Sequence, residues 1–472
     1  MPGVTGNVHV YGNVSVDNFP SNVRITDMPG VTGNVHVYGG NVQVTQGTTP
    51  WTVNGTVSIE ASPGGAGFEF TSKNRLKVST YQSVFFNTFQ YSKETDVWDE
   101  STTNGATATF DSNLSAIVMS VTSTAGSQVV RQTFNTQRYI PGRTSTLNFA
   151  VRMQMPTVGI RRRFGIFDEE DGAYFEDAGT LDPDTGLPQY YCVIRSHTSG
   201  TMQETRVERK DWNGDKLDGA GTSGITANPV AIHMFGVEYE WYGAGQVKFV
   251  YIINGVSHTI HTFNTANINS APWCSTPFLP IRLELTNVTG VAGTHYMWQG
   301  SNSLISEGVP EKLGIGVNYT SPIAGTNLAT KNLWYPVLSI RMKESALQGI
   351  VLPVFFQVAT LDNTMVFYKL VRNATLGTGG NGWTNHPDEN SFVQVQTYTN
   401  PSHIAINNQG RSIDSGFLAT GGGGTGVRMD KDTVYQLGRN NMGTASDTLT
   451  LLVASAITNK DAIASMTWIE QR

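Results

Sequence analysis

HMFGVEYEWY (residues 233–242) and QVKFVYII (246–253), separated by Gly-Ala-Gly, decide how this 472-residue chain is read. Both are short runs rich in β-branched and aromatic residues, and a glycine turn between two such runs is what paired strands use. They belong to a series of a dozen. LKVSTYQSVFF (76–86), TATFDS (107–112), AIVMSVTS (116–123), SQVVRQTFN (127–135) and TLNFAVRMQM (146–155) precede them, as do RRFGIF (162–167), QYYCVIRSH (189–197) and TRVERKDW (205–212). HTIHTF (258–263) and IRLELTN (281–287) follow. With Gly, Asn and Asp turns between runs and no convincing helix, residues 67–345 are predicted to form a β-sandwich of jelly-roll or lectin kind. LWYPVLSIRMK (333–343) is expected to return and close its sheet.

Residues 346–472 repeat the pattern in VFFQVAT (354–360), MVFYKLVRN (365–373), FVQVQTYT (392–399), DTLTLLVASA (447–456) and IASMTWIEQR (463–472). A second sandwich is predicted there. Its GGGGTG (421–426) reads as a long turn, because a phosphate-cradling loop would continue into Lys-Ser/Thr and a helix.

The front of the chain has a different texture. MPGVTGNVHVYG occurs at residues 1–12 and again, letter for letter, at 28–39. Around the copies, short runs put valine at every second position, the period of a strand with one buried face. In the first copy Val8, Val10, Val14 and Val16 share one parity; in the second, the extra glycine of Gly39-Gly40 shifts Val42 and Val44 out of step with Val35 and Val37, so a bulge or turn must absorb it. Strands this short cannot offset about 1–2 kcal/mol of backbone entropy per ordered residue within one chain. Residues 1–66 are therefore expected to intertwine with sister chains, as an attachment and trimerisation module built on those eight valines. SPGGAGF (62–68) is the hinge out of it. The expected architecture is all-β: an intertwined repeat module followed by two antiparallel sandwiches.

Composition narrows the function classes. A net charge of −6 with only 14% charged residues gives no footprint for nucleic acid, although Arg161-Arg162-Arg163 is a local exception, read as a solvated loop or strand start. Cys192 and Cys274 are too few for a disulfide framework and are read as buried thiols. The most apolar stretch, GIVLPVFFQVA (349–359), is too short to cross a bilayer and contains Pro353. No basic, apolar export leader is read at the start.

Candidate chemistry is sparse. Asp211, Asn213 and Asp215 fall at positions one, three and five of a calcium loop, but Lys216 stands where glycine is needed and Thr222 where a bidentate glutamate is needed. Turn chemistry explains them as well. FDEEDGAYFEDAG (167–179) concentrates carboxylates that would suit a glycosidase pair only if two faced each other at the right separation. His258 and His261, three apart on a strand, are expected on opposite faces, which does not suit a shared metal. His9 and His36 would converge on an axis only in a symmetric assembly. Among the aromatics, Trp241, Tyr242 and Trp273 are candidates for stacking on sugar rings, with core packing as the alternative. No catalytic residue, metal or cofactor is assigned.

KDWNGDKLDGAGTSG (210–224), VEYEWYGAGQVKFVYIINGVSHTIHTFNTAN (237–267) and STPFLPIRLELTN (275–287) together resemble a domain recurrent in structural proteins of tailed phages and some large viruses. RYIPGR (138–143), RRFGIFDEEDGAYFE (162–176) and VIRSHTSG (193–200) extend the resemblance upstream, and VRNATLGTGGNGW (371–383) with the chain's last strands extends it downstream. The opening module, with TTPWTVNGTVSI and VDNFP, is similar to phage fibre segments. The resemblance implies a virion protein of fibre, tail or decoration type, assembled as a homotrimer, joined to other virion proteins through its N-terminus, and without catalytic residues. Attachment to a host-surface glycan is the leading expectation. A capsid decoration or neck protein without receptor specificity and a glycan depolymerase are the alternatives.

Overall fold

The computed structural model describes residues 80–308, 314–362, 364–418, 425–428 (as backbone) and 435–471. All lie in one compact unit, Phe68–Arg472. The eight valines assigned to trimerisation, His9, His36 and the hinge at 62–68 lie outside the described residues.

Every described strand pairing is antiparallel, and the strands form two sandwiches. In the first, an eight-stranded sheet runs Val256–Phe263 (β13), Val247–Ile253 (β12), Ile232–Tyr239 (β11), Ser145–Arg152 (β6), His295–Glu307 (β15), Ala116–Val121 (β4) and Thr107–Asp111 (β3), with Tyr81–Asn87 (β1) on the far half of β15. Its partner runs Gln203–Glu208 (β10), Pro188–Ser196 (β9), Gly172–Leu181 (β8), Ile160–Phe167 (β7), Ile281–Asn287 (β14), Ser127–Thr133 (β5) and Trp98–Thr103 (β2). The 233–253 stretch forms the expected pair: Phe235 lies opposite Tyr251 and Val237 opposite Phe249. Because alternate side chains share a face, these residues enter the core together. There Phe175 of β8 meets Phe235 at 4.6 Å and Phe249 at 4.9 Å, and Phe149 of β6 meets Phe164 of β7 at 5.2 Å. Each fully buried ring contributes roughly 1.5–3 kcal/mol.

In the second sandwich, Ile315–Thr320 (β16), Lys460–Gln471 (β26), Ile350–Thr360 (β19) and Thr425–Arg428 (β24) form one sheet, with Thr326–Leu328 (β17) also on β26. The other runs Thr384–Asn385 (β21), Val393–Thr397 (β22), Tyr335–Met342 (β18), Thr448–Ser455 (β25), Val366–Arg372 (β20) and Arg411–Leu418 (β23). The apolar stretch around Pro353 is β19, paired along its length with β26; the register shifts between Pro353 and Phe355, the kind of irregularity where a sheet tolerates a residue without an N–H. No described helix is long and apolar enough to cross a membrane.

One strand assignment differs from the sequence reading. LWYPVLSIRMK does not close the first sandwich; its β18 lies inside the second, bonded to β22 and β25. Strands of the second sandwich thus begin at Ile315, ahead of the expected boundary at 345. Strand periodicity specifies a face and not a partner, so it could not choose between two adjacent sheets.

The two sandwiches are fastened by the segment leading into β25. Arg439 donates to the Asp168 carboxylate at 2.6 Å and its backbone N–H to Phe134 O at 2.9 Å. Asn441 N–H donates to Asp99 Oδ2 (2.7 Å), its carbonyl accepts from Arg282 (2.9 Å), and Gln436 Nε2 donates to Thr136 O (2.9 Å). From β20, the Arg372 guanidinium lies 4.1 Å over the Phe134 ring.

Candidate functional site

Two regions present chemistry, one on a face of the first sandwich and one where its loops meet the end of β26. The first is the face of the seven-stranded sheet turned away from the core. Alternation along Arg161-Arg162-Arg163 sends Arg161 and Arg163 to this face and Arg162 inward. Register places Arg163 beside Glu176 on one side and Glu284 on the other, and Gly165 between Arg282 and Tyr174. Arg163 Nε donates to Glu176 at 2.6 Å; Arg195 bonds Glu204 at 2.9 Å; Arg282 bonds Glu284 at 2.7 Å and Glu169 at 2.5 Å; Arg206 pairs with Glu176. Tyr174 Oη donates to Glu204 at 2.6 Å.

These partners set the protonation states. Burial works to raise the Glu204 carboxyl, but the Tyr174 hydroxyl, Arg163 and Arg195 outweigh it and bring it down to about 2. Burial likewise opposes ionisation of Glu284, yet Arg282, Arg163 and Arg195 hold it below the usual carboxylate range. A glycosidase acid needs a carboxyl that keeps its proton near neutral pH. Glu204 and Glu284 are held as carboxylates. Asp177, whose carboxyl burial pushes up, faces the core and is closed by Arg162.

The second region is a cleft of about 370 Å³ lined by Tyr139, Pro141, Trp241, Pro277, Phe278 and Gln471. Trp241 continues past the end of β11. Its backbone N–H donates to Tyr139 Oη at 2.9 Å and its indole N–H to Cys274 O at 3.1 Å, which fixes the ring with one part against the core and one toward the cleft. Tyr242, next in sequence, is 61% exposed, its hydroxyl resting over Gly142, where a Cβ would approach it to 2.8 Å; Gly142 also has φ +85°. Side chains of this kind form the apolar wall with few polar groups that small-ligand sites use.

The sequence candidates are thus divided. Trp241 lines the cleft and Tyr242 is exposed but not part of its lining, whereas Trp273 is 2% exposed and packs edge-on against Tyr239. Asn213 and Asp215 serve turn architecture: Asn213 bonds both backbone groups of Thr262 (2.8 Å each), and Asp215 accepts from Leu217 N–H (2.9 Å), Ser223 N–H (2.5 Å) and the Thr222 hydroxyl (3.4 Å). Asp211 is exposed at the end of a short 3₁₀ turn. No group of three or more His, Cys, Asp or Glu side chains suited to a metal occurs among the described residues. His258 and His261 are not on opposite faces: a register shift in β13 puts His258 opposite Tyr251 and His261 opposite Phe249, both core-side positions. His261 is buried there, and its Nδ1 accepts from Asn213 N–H at 3.3 Å. Cys192 and Cys274 are buried, and burial pushes both thiols up.

Sequence reading missed Tyr139 and Phe278 as cleft residues and the arginine-glutamate face. RYIPGR and TPFLP held the only hint, apolar residues in loops where turns normally carry polar ones.

No protein-family model and no curated protein matches the chain. Among solved structures, the chain is similar to one from work on endo-acting O-glycanases of the human gut microbiota (13% identity over 48% of this chain and 99% of that one, TM-score 0.34). It is also similar to a β-1,3-glucanase from Mycobacterium marinum (12%, 47% and 98%, 0.32). A glycoside hydrolase family 16 endo-glucanase from Bacteroides ovatus gives 11%, 47% and 99%, with TM-score 0.30.

Proposed function

We propose that this chain is a virion structural protein of a tailed phage, trimeric through residues 1–66, whose first sandwich holds a host-surface glycan in the Trp241 cleft. The cleft carries the reading: partly exposed rings beside prolines suit the apolar face of a sugar, which stacks on aromatic surfaces. The virion assignment rests on the motifs from 138–143 through 275–287 that resemble phage structural domains. Binding without hydrolysis is favoured because none of the described residues lining the cleft carries a carboxylate. Three weak sites on one trimer would attach strongly, since the second and third contacts are effectively intramolecular.

The test is a glycan array probed with the intact protein and with Trp241→Ala. Retention on a defined set of glycans that Trp241→Ala loses supports the reading. An array with no specific retention leaves the decoration alternative. A fall in host polysaccharide viscosity on incubation would establish the depolymerase instead.

A further inference from the structure

The outer strands of a sheet can pair with another chain unless something blunts them, and most edges of the first sandwich are blunted. β10 carries Glu204, Arg206 and Glu208. β2 carries Asp99 and Glu100, and Asp99 accepts from Asn441 N–H at 2.7 Å. At β3, Lys93 Nζ donates to Ala108 O at 2.6 Å. β13 is sealed by the loop beside it: Gly214 N–H donates to Ile260 O at 3.0 Å, Asp215 N–H to Thr259 O at 2.9 Å, and Asn213 closes on Thr262. β1, YQSVFFN, differs. It has no charged residue, and among the described strands it is bonded to β15 alone. Tyr81, Ser83 and Phe86 stand opposite Glu307, Ile305 and Ser303 on the face turned away from the core, while Phe85, past the register shift, packs inward opposite Leu304. Tyr81 is 70% exposed and Phe86 72%. Large rings left outward on an uncharged edge mark a surface that a partner covers. The same strand is where the repeat segment joins the sandwich: only residues 67–79 separate residues 1–66 from Thr80, a reach of at most about 50 Å when fully extended.

We infer that the outer row of β1 is a contact between copies of this chain, in which Tyr81 and Phe86 pack against the same rings of sister copies around the trimer axis. The inference rests on the proposed trimer and uses nothing of the cleft. Two rings per copy are far too little for a free-standing complex, which buries about 1,200–2,000 Å². Copies joined through residues 1–66 need much less, because the tether makes the contact intramolecular, at an effective concentration on the order of millimolar. A second copy is the occupant because each chain presents this strand at the root of its own joining segment, so rotation about a common axis brings identical rows together.

The experiment uses the full chain carrying Ser83→Cys, treated with a short bis-maleimide; Cys192 and Cys274 are buried and add little background. Ser199→Cys, in the exposed turn between β9 and β10, is the control. Ser83→Cys is expected to link copies at least tenfold more than the control. Adding Tyr81→Ser and Phe86→Ser should cut that linking at least tenfold and leave the circular dichroism spectrum unchanged, since neither ring lies in the core. Sedimentation of the same samples keeps the two readings apart. A trimer whose Ser83→Cys form links no better than the control overturns the contact and leaves the trimer standing, whereas a monomer that does not link overturns both. Linking that survives the loss of both rings overturns their part in it. Loss of glycan-array retention in the chain carrying Tyr81→Ser and Phe86→Ser assigns the row to a ligand and overturns the contact.

Discussion

Arg162 Nη1 and Asp177 Oδ2 lie 2.6 Å apart with neither side chain exposed, on neighbouring strands of the seven-stranded sheet, facing the core. Gly179 N–H donates to the same carboxyl at 2.9 Å, and Gln154 Oε1 accepts from Arg162 at 3.3 Å. Removing one partner leaves a charge buried and alone. Asp177→Ala is expected to lower stability by about 3–5 kcal/mol in urea titrations, whereas an apolar pair of similar volume, Arg162→Met with Asp177→Leu, should recover most of the loss.

Acid should weaken the first sandwich through His261. Burial depresses this imidazole to about 4, below the 6.5 of an unhindered histidine. Above pH 6.5 both states are neutral and its stabilisation is intact; between 6.5 and 4 the unfolded chain takes up the proton first, and stability falls by about 3 kcal/mol across that window. Denaturant midpoints at pH 7 and 4.5 measure the loss, and His261→Gln should flatten it.

The fastening between the sandwiches should be visible calorimetrically. Burial alone would raise Asp168, but Arg439 and backbone N–H donors hold it below the usual range, so the pair is charged at neutral pH. Arg439→Ala is expected to cost roughly 3 kcal/mol and to split one melting transition into two.

Calcium should have no effect on the 211–223 loop. Asp215 and Asn213 already bond backbone groups there, so calcium or chelator is expected to leave the melting temperature unchanged. Asp215→Ala should cost about 1–3 kcal/mol by leaving buried donors unmet.

Two tryptophans separate packing from recognition. Trp273→Phe is expected to reduce stability with glycan retention unchanged, and Trp241→Ala to reduce retention about tenfold, equivalent to about 1.4 kcal/mol. Melting curves beside array intensities read the two effects.

The strands were legible because each buries one face, and alternation in stretches such as HMFGVEYEWY records that directly. What alternation does not encode was not. LWYPVLSIRMK shows a strand but not its sheet. HTIHTF hides a register shift that turns two histidines to one side. Trp241 and Trp273 are alike in sequence, and only the loop carrying Cys274 decides which ring reaches the cleft. The arginine triplet looked like a solvated strand start because its carboxylate partners come from β8, β10 and β14, brought alongside only by sheet order.

The seam made by Arg439, Asn441 and Gln436 has a mechanical meaning. Its short polar bonds are spread across several strands of the first sandwich, so a tug applied at either sandwich meets many of them at once rather than peeling them singly. Drag on one half would reach the other as torque, and the pair would swing as a stiff lever instead of folding at an elbow.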